Sequence, residues 1–336
     1  MQRIWYLFVK VYIKLGLYAY YKNISVVGTE HIPKQGAVLF VCNHQNALID
    51  PLLLATHTKR SLHFLTRAGV FGNAFLNKLF SSLQMLPIYR VRDGWQSLAK
   101  NQAIFDKCYN ILAEEKSLLI FPEGSHNIIR RVRPLSKGFT RIVFGTLEKH
   151  PELQLQIVPV GMNFSSVSEH PSKVGIYFGA PILANNYLNK SNFDATKDLK
   201  EEVHTAMSLL TTHIEGSQKH YDIVIESLTS KGVDFSKPFT NFEIVKIKKN
   251  SKSKFNLIHL LFKILFALPW FIWNRVQLKI LEIEFKSTFR FALGITIFPI
   301  WILLSFVVIN SIMGVIPATI VSLIFIIIGL LNSKRS

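Results

Sequence analysis

The chain has little cysteine and little acid. Only Cys42 and Cys108 are present, so no disulfide framework is implied and a reducing compartment is the natural setting. There is no GxSxG elbow, no P-loop and no GxGxxG fingerprint, which leaves hydrolase, nucleotide-kinase and dinucleotide-dehydrogenase readings without positive support. No zinc-ligand spacing and no familiar nucleic-acid-binding fingerprint occurs either. Acidic residues number 21 against 39 lysines and arginines, giving a net charge of +18 over 336 residues. Yet 49% of the chain is hydrophobic, and the mean hydropathy is +0.27. A chain both basic and apolar is suited to an anionic membrane surface rather than to nucleic acid.

The most informative segment runs from Asn43 to Pro51 (Asn-His-Gln-Asn-Ala-Leu-Ile-Asp-Pro). It follows the apolar run Ala37 to Cys42, which reads as a buried strand. Asp50-Pro51 then reads as a helix start, with Asp50 as N-cap and Pro51 in the first turn. A compact turn between strand and helix lets the Asp50 carboxylate reach one imidazole nitrogen of His44 and leaves the other facing a pocket. A histidine general base needs that arrangement: one tautomer, one ring orientation, one open face. The alternative for this segment alone is a capped helix beside an incidental histidine. Cys42 lies two residues before His44, but its place in an apolar strand reads as packing rather than as a nucleophile.

Three further blocks follow. Met85-Leu86-Pro87-Ile88-Tyr89-Arg90 is an apolar run ending in arginine. Lys116 to Phe121 is strand-like and leads into Phe121-Pro122-Glu123-Gly124-Ser125-His126, with Arg130, Arg131, Arg133, Lys137 and Arg141 beyond. Gln156 to Phe164 is another strand pattern. These four blocks, in this order, resemble the motifs of the glycerophospholipid acyltransferases over roughly residues 20 to 185. The commoner pattern of that family has one residue fewer between histidine and aspartate than the five found here, and continues differently after the glycine. Both variants are similar to the branch holding the fungal glycerol-3-phosphate/dihydroxyacetone-phosphate acyltransferases.

The resemblance implies an acyltransferase acting on a glycerol-phosphate hydroxyl, with 1-acyl-glycerol-3-phosphate as acceptor and phosphatidic acid as product. Acylation of glycerol 3-phosphate, or of another lyso-lipid or aminolipid, stays open. So does a non-catalytic membrane scaffold of the same fold. It implies His44 and Asp50 as catalytic residues, and Arg90, Glu123, Gly124, Ser125 and Lys137 as acceptor-binding residues, with no metal and no cofactor. Acyl-CoA or acyl-carrier protein is the implied donor, and the basic surface suits either acidic carrier. A guanidinium such as Arg90 can grip a phosphate bidentately, Gly124 permits close backbone approach and Ser125 can donate a hydrogen bond. His126 stands open between loop residue and active-site donor. Arg130, Arg131 and Arg133 read as a solvated basic face.

Along the chain, residues 1–22 read as an interfacial amphipathic helix. It is aromatic-rich, with Arg3, Lys10 and Lys14 on one face, and the two lysines break the apolar core a signal peptide would need. Residues 23–229 alternate short strands and helices, an α/β domain with a mixed sheet flanked by helices. Helices are expected over Trp95–Glu114 and Ser136–Lys149, and another follows Leu199, Val203, Ala206, Leu210 and Ile214 to a stop at Gly216. Residues 230–254 read as a basic connector. The last part, 255–336, reads as a membrane anchor: an interfacial segment 255–273 and two spans, 291–309 and 312–331, separated at Asn310 and Ser311. Each span has about the 20 residues that cross a hydrocarbon core. Three spans are the alternative. A two-span hairpin keeps every basic cluster, and the catalytic domain, on the cytoplasmic side.

Overall fold

A computed structural model describes residues 2–89, 100–239 and 257–334. Arg90 and the lysine cluster at 246–254 lie outside the described residues. The chain opens with α1 (Gln2–Tyr20) and then runs β1 (Asn23–Val27), β2 (Ala37–Cys42), α2 (Ile49–His57), β3 (Leu62–Arg67), α3 (Ala74–Ser82) and β4 (Met85–Ile88). It continues through α4 (Asn101–Ala113), β5 (Ser117–Ile120), α5 (Gly138–Lys149), β6 (Leu155–Phe164), β7 (Lys173–Phe178) and β8 (Ile182–Leu183). After these come α6 (Asn192–Leu209), α7 (Gln218–Ser230), α8 (Leu257–Leu265), α9 (Ala267–Gln277), α10 (Lys286–Met313) and α11 (Val315–Lys334).

The sheet is mixed, in the order β1-β7-β6-β2-β5-β3-β4, with β8 also pairing with β6. Strands β6, β2, β5, β3 and β4 are mutually parallel, while β7 and β8 run antiparallel to β6. Every residue of β2 is buried, as a central strand covered on both faces demands. Its side chains alternate: Ala37, Leu39 and Val41 enter a core shared with α4, α5 and α6. Val38, Phe40 and Cys42 enter a second core with Leu17 of α1, Leu53 and Leu54 of α2 and Phe291 of α10. The parallel strands therefore deliver the ends of β2, β5, β3 and β4 to one edge, where open α/β sheets place their ligands.

Several expected boundaries differ. Helix α6 stops at Leu209 rather than at Gly216. The next residues are taken by other partners: Thr212 N–H donates to Asn163 Oδ1 at 2.8 Å and Ile214 N–H to Arg130 O at 3.0 Å. Gly216, at φ +102°, instead leads into α7, whose N-cap is Ser217. The connector does not begin at 230 as a solvated stretch: Phe235 and Ser236 are buried, and Asp234 pairs with Lys173 of β7 at 2.6 Å.

The N-terminal helix is not wholly interfacial. Leu17 is fully buried, and Lys10 Nζ donates to Thr58 O at 2.9 Å, while Ile4, Leu7, Phe8, Val11 and Leu15 remain exposed. At the other end, α10 and α11 are long and apolar enough to cross a membrane. Helix α10 runs on through Asn310 and Ser311, and the break falls at Gly314, whose φ of +88° suits a residue without Cβ. The segment expected to lie as one piece in the interface is two short helices, α8 and α9, bent by 92°. The bend leaves the Leu265 carbonyl for the Trp301 indole N–H, which donates to it at 2.8 Å.

Candidate active site

The turn after β2 is built around one carboxylate. Asp50 is the second residue of α2, not its N-cap, and the N-cap residue, Leu48, makes no side-chain cap. Its side chain folds back, so that Oδ2 accepts from the N–H groups of Gln45 and Asn46, each at 2.8 Å. The same oxygen lies 2.8 Å from His44 Nδ1, and Asp50 is completely buried. A carboxylate oxygen only accepts, so Nδ1 carries the proton and Nε2 presents a lone pair. The turn closes at Ala47, which takes a positive φ of +28°. Asn43 anchors its start to β6, donating to Met162 O at 3.0 Å and accepting from Met162 N–H at 2.7 Å.

The neighbouring strand β5 brings the second half. Phe121, just past its end, stacks on the His44 ring with centroids 4.1 Å apart and planes at 18°. Asn127 N–H donates to His44 O at 3.0 Å, which joins the two loops through their backbones. Gly124 sits at φ +74° in the turn between them, where a side chain would be strained. Glu123 points inward: its side chain is 2% exposed and it pairs with Arg133, whose Nε donates to Oε2 at 2.8 Å and Nη2 to the same oxygen at 2.5 Å. Burial pushes the Glu123 carboxyl up, and Arg133 and His44 pull it back down. Arg133 Nη1 also donates to Ser125 Oγ at 2.7 Å, leaving the Ser125 hydroxyl hydrogen free to donate elsewhere.

The arginines after this motif are not a solvated face. Arg130 Nη1 donates to Phe164 O at 2.7 Å and Nη2 to Ser165 O at 3.1 Å, and its guanidinium lies 4.2 Å from the Phe235 ring centroid. Burial lowers its pKa to about 10. Arg131 Nε donates to Ile214 O at 2.7 Å. These carbonyls lie at the end of β6 and in the irregular chain after it and before α7, where guanidiniums supply hydrogen-bond donors. Cys42 is a packing residue, fully buried, and that burial raises its thiol well above the usual range.

The structure thus gathers His44, Asp50, Glu123, Gly124 and Ser125 at one edge of the sheet. Lys137 is placed differently: it is exposed before α5, in a cleft that also includes Arg141, Lys197 and Lys200 and whose lining contains none of those five residues. Arg90 lies outside the described residues.

Two features escaped sequence reasoning. Phe121 supports the imidazole face, and its only sequence signal is its position at the start of the motif. The turn before α10 also reaches the site. His126 meets His44 edge-on at 5.7 Å and Phe285 edge-on at 4.9 Å, and its Nε2 lies 3.8 Å from Glu282 Oε2. No local pattern links residues so far apart in the chain.

Residues 23–163 match the model of a family described as Acyltransferase. The chain is 30% identical over 114 residues to glycerol-3-phosphate O-acyltransferase 1 of Saccharomyces cerevisiae, covering 32% of this chain and 15% of the yeast protein. It is 26% identical over 144 residues to the 1-acyl-sn-glycerol-3-phosphate acyltransferase of Borreliella burgdorferi, covering 43% of this chain and 55% of that one. The protein of the same description from Cocos nucifera is 22% identical over 213 residues, covering 63% and 62%. The chain therefore spans less than two thirds of each of these relatives.

Proposed function

We propose that this chain, whose residues 23–163 match the Acyltransferase family model, is a glycerophospholipid acyltransferase: a membrane-bound O-acyltransferase that moves a fatty acyl group from a thioester donor to 1-acyl-glycerol-3-phosphate, forming phosphatidic acid, as its similarity to glycerolipid acyltransferases supports. The observation that carries this reading is the 2.8 Å bond between His44 Nδ1 and buried Asp50, at the sheet edge where β2 and β5 end. His44 Nε2 takes the proton from the acceptor hydroxyl as its oxygen bonds to the thioester carbonyl carbon. The tetrahedral oxyanion collapses, the carbon–sulfur bond breaks, and the departing thiolate takes that proton back from the imidazolium. Asp50 holds the ring and stabilises its positive form. General-base catalysis of this kind contributes about 10²- to 10⁴-fold. No covalent enzyme intermediate is required, because a thioester is already activated.

Ser125 and Gly124 are the proposed donor and close-approach position for the acceptor, and Arg90 is the proposed phosphate ligand. Glu123 acts indirectly, by fixing Arg133 and through it the Ser125 hydroxyl. Acyl-CoA or acyl-carrier protein is the proposed donor. The hairpin is proposed to insert with the catalytic domain on the cytoplasmic face. Lys286 and Arg290 open α10 and Lys334 closes α11, so the basic residues gather at one end of the hairpin.

A second reading, acylation of glycerol 3-phosphate, is favoured by the similarity to the yeast glycerol-3-phosphate enzyme. The test is a proteoliposome assay with labelled acyl donor and each acceptor offered separately. Labelled phosphatidic acid from the lysolipid supports the first reading. Labelled lysophosphatidic acid from glycerol 3-phosphate supports the second. Neither product from folded protein would contradict both.

A further inference from the structure

A cavity of about 530 Å³ lies among α1, α8, α9, α10 and α11, on the membrane side of the molecule. That volume falls within the roughly 300–1,000 Å³ of small-ligand sites. Its chemistry changes along its length. The deep walls are Phe298, Pro299 and Ile302 of α10 with Phe325 and Ile326 of α11. The polar lining, chiefly Arg290, His170, His259, Asn332 and Ser333, comes from the β6–β7 loop and from the helix ends nearest the catalytic domain. Arg290 and Ile302 are separated by about 18 Å at the helical rise of about 1.5 Å per residue. No Asp or Glu lines the space among the described residues.

The glycines around it keep it open. A Cβ on Gly16 of α1 would stand 2.6 Å from Ile295 Cγ2, so that glycine serves helix contact. A Cβ on Gly294 would meet nothing within 4 Å, and one on Gly329 only the Phe266 ring at 3.8 Å. Both line the cavity, and neither is needed for close packing. The polar mouth is also tied to the catalytic turn. Arg290 Nη1 donates to Ser168 O at 2.9 Å and Ser287 Oγ to Val167 O at 2.5 Å, and Asn46 Nδ2 donates to the same Val167 carbonyl at 3.5 Å.

We propose that this cavity binds one acyl chain of an anionic, phosphate-bearing glycerolipid drawn from the bilayer, its headgroup at Arg290 and its chain running down between α10 and α11. A cationic, carboxylate-free mouth at the headgroup end and aromatic and aliphatic walls below match that ligand and orient it. The site requires membrane insertion of the hairpin and does not depend on acyl transfer.

The test uses the full chain in phosphatidylcholine vesicles carrying a trace of phosphatidic acid, or of phosphatidylcholine, with a photoactivatable group in the acyl chain. After irradiation the labelled residues are mapped. Label is expected on cavity-lining residues of α10 and α11, favouring phosphatidic acid by about ten-fold, the factor carried by one charge-assisted contact. Gly329→Phe and Gly294→Phe, each checked by thermal unfolding, should cut cavity labelling several-fold. Arg290→Gln should abolish the headgroup preference, and Ile327→Phe, at a position 52% exposed on the outer surface, should leave the labelling intact. In the wild type, excess unlabelled phosphatidic acid should compete. Non-competable label, label spread over outward faces, or equal labelling by both lipids would overturn the proposal. Acyl transfer measured on the same vesicles separates the outcomes: lost transfer with intact labelling counts against the catalytic reading alone.

Discussion

Replacing Arg133 by glutamine removes the partner of a carboxylate that is 2% exposed, from a guanidinium that is itself 22% exposed. Two bonds to Glu123 Oε2, at 2.8 and 2.5 Å, disappear together with the link to Ser125. Breaking a buried ion pair from one side costs about 3–5 kcal/mol. At about 2–4 °C per kcal/mol for a domain of about 150–250 residues, the midpoint should fall by about 6–20 °C. The loss should depend on pH. Burial already raises the Glu123 carboxyl, and Arg133 opposes that rise, so without Arg133 it climbs further. A carboxyl whose folded pKa lies above its unfolded one gives its full stability below the unfolded pKa, and loses it as pH rises through the folded pKa. The variant should therefore be most penalised at about pH 8 and recover towards about pH 5. Thermal unfolding of the detergent-solubilised protein at both values measures this. The Glu123→Gln/Arg133→Gln double variant should recover most of the loss, because it removes the buried charge. A penalty equal at both pH values, or one the double variant does not relieve, would refute the argument.

Asp50→Asn keeps the volume but places an amide where three donors converge, so kcat should fall by about 10²- to 10⁴-fold with little change in acceptor KM; an unchanged kcat would remove Asp50 from the mechanism. Ala47 holds φ +28° while almost fully buried. Ala47→Gly should be neutral to slightly stabilising and Ala47→Val should cost about 1–3 kcal/mol by denaturant or thermal unfolding, and three equal midpoints would contradict the strain. Arg60 ties together the amino-end loops of the sheet, donating to Pro33 O at 2.9 Å, Gly36 O at 2.6 Å and Glu115 O at 2.9 Å. Arg60→Ala should cost about 1.5–3 kcal/mol of stability yet leave the initial rate of acyl transfer unchanged at a permissive temperature, because it sits at the edge opposite His44.

What was legible in the sequence was what repeats locally. The run Ala37–Cys42 is uniformly apolar because β2 is buried on both faces, and its strand matches residue for residue. His44 and Asp50 are close enough in the chain for a single turn to join them, so their pairing could be anticipated. Roles set by distant partners were not legible. Arg130 and Arg131 read as solvated charge, yet they satisfy carbonyls of segments remote in sequence. Helix α6 ends at Leu209 although its apolar spacing continues, because Asn163 and the Arg130 carbonyl claim the next backbone N–H groups. Asp50 looked like a cap as well as the partner of His44, but its carboxylate accepts from the backbone N–H groups of the preceding turn rather than capping α2. The approach of Phe285 to His126 comes from docking of the turn before the apolar C-terminal helices on the α/β domain, which no spacing rule encodes.

The central claim is that His44 acts as the base. The most direct measurement is single-turnover acyl transfer to lysophosphatidic acid in proteoliposomes, comparing wild type with His44→Ala while acceptor binding is followed separately. The account predicts a rate lower by about 10²- to 10⁴-fold or more, with acceptor affinity and unfolding midpoint close to wild type. A His44→Ala protein that transfers acyl groups at the wild-type rate would contradict it.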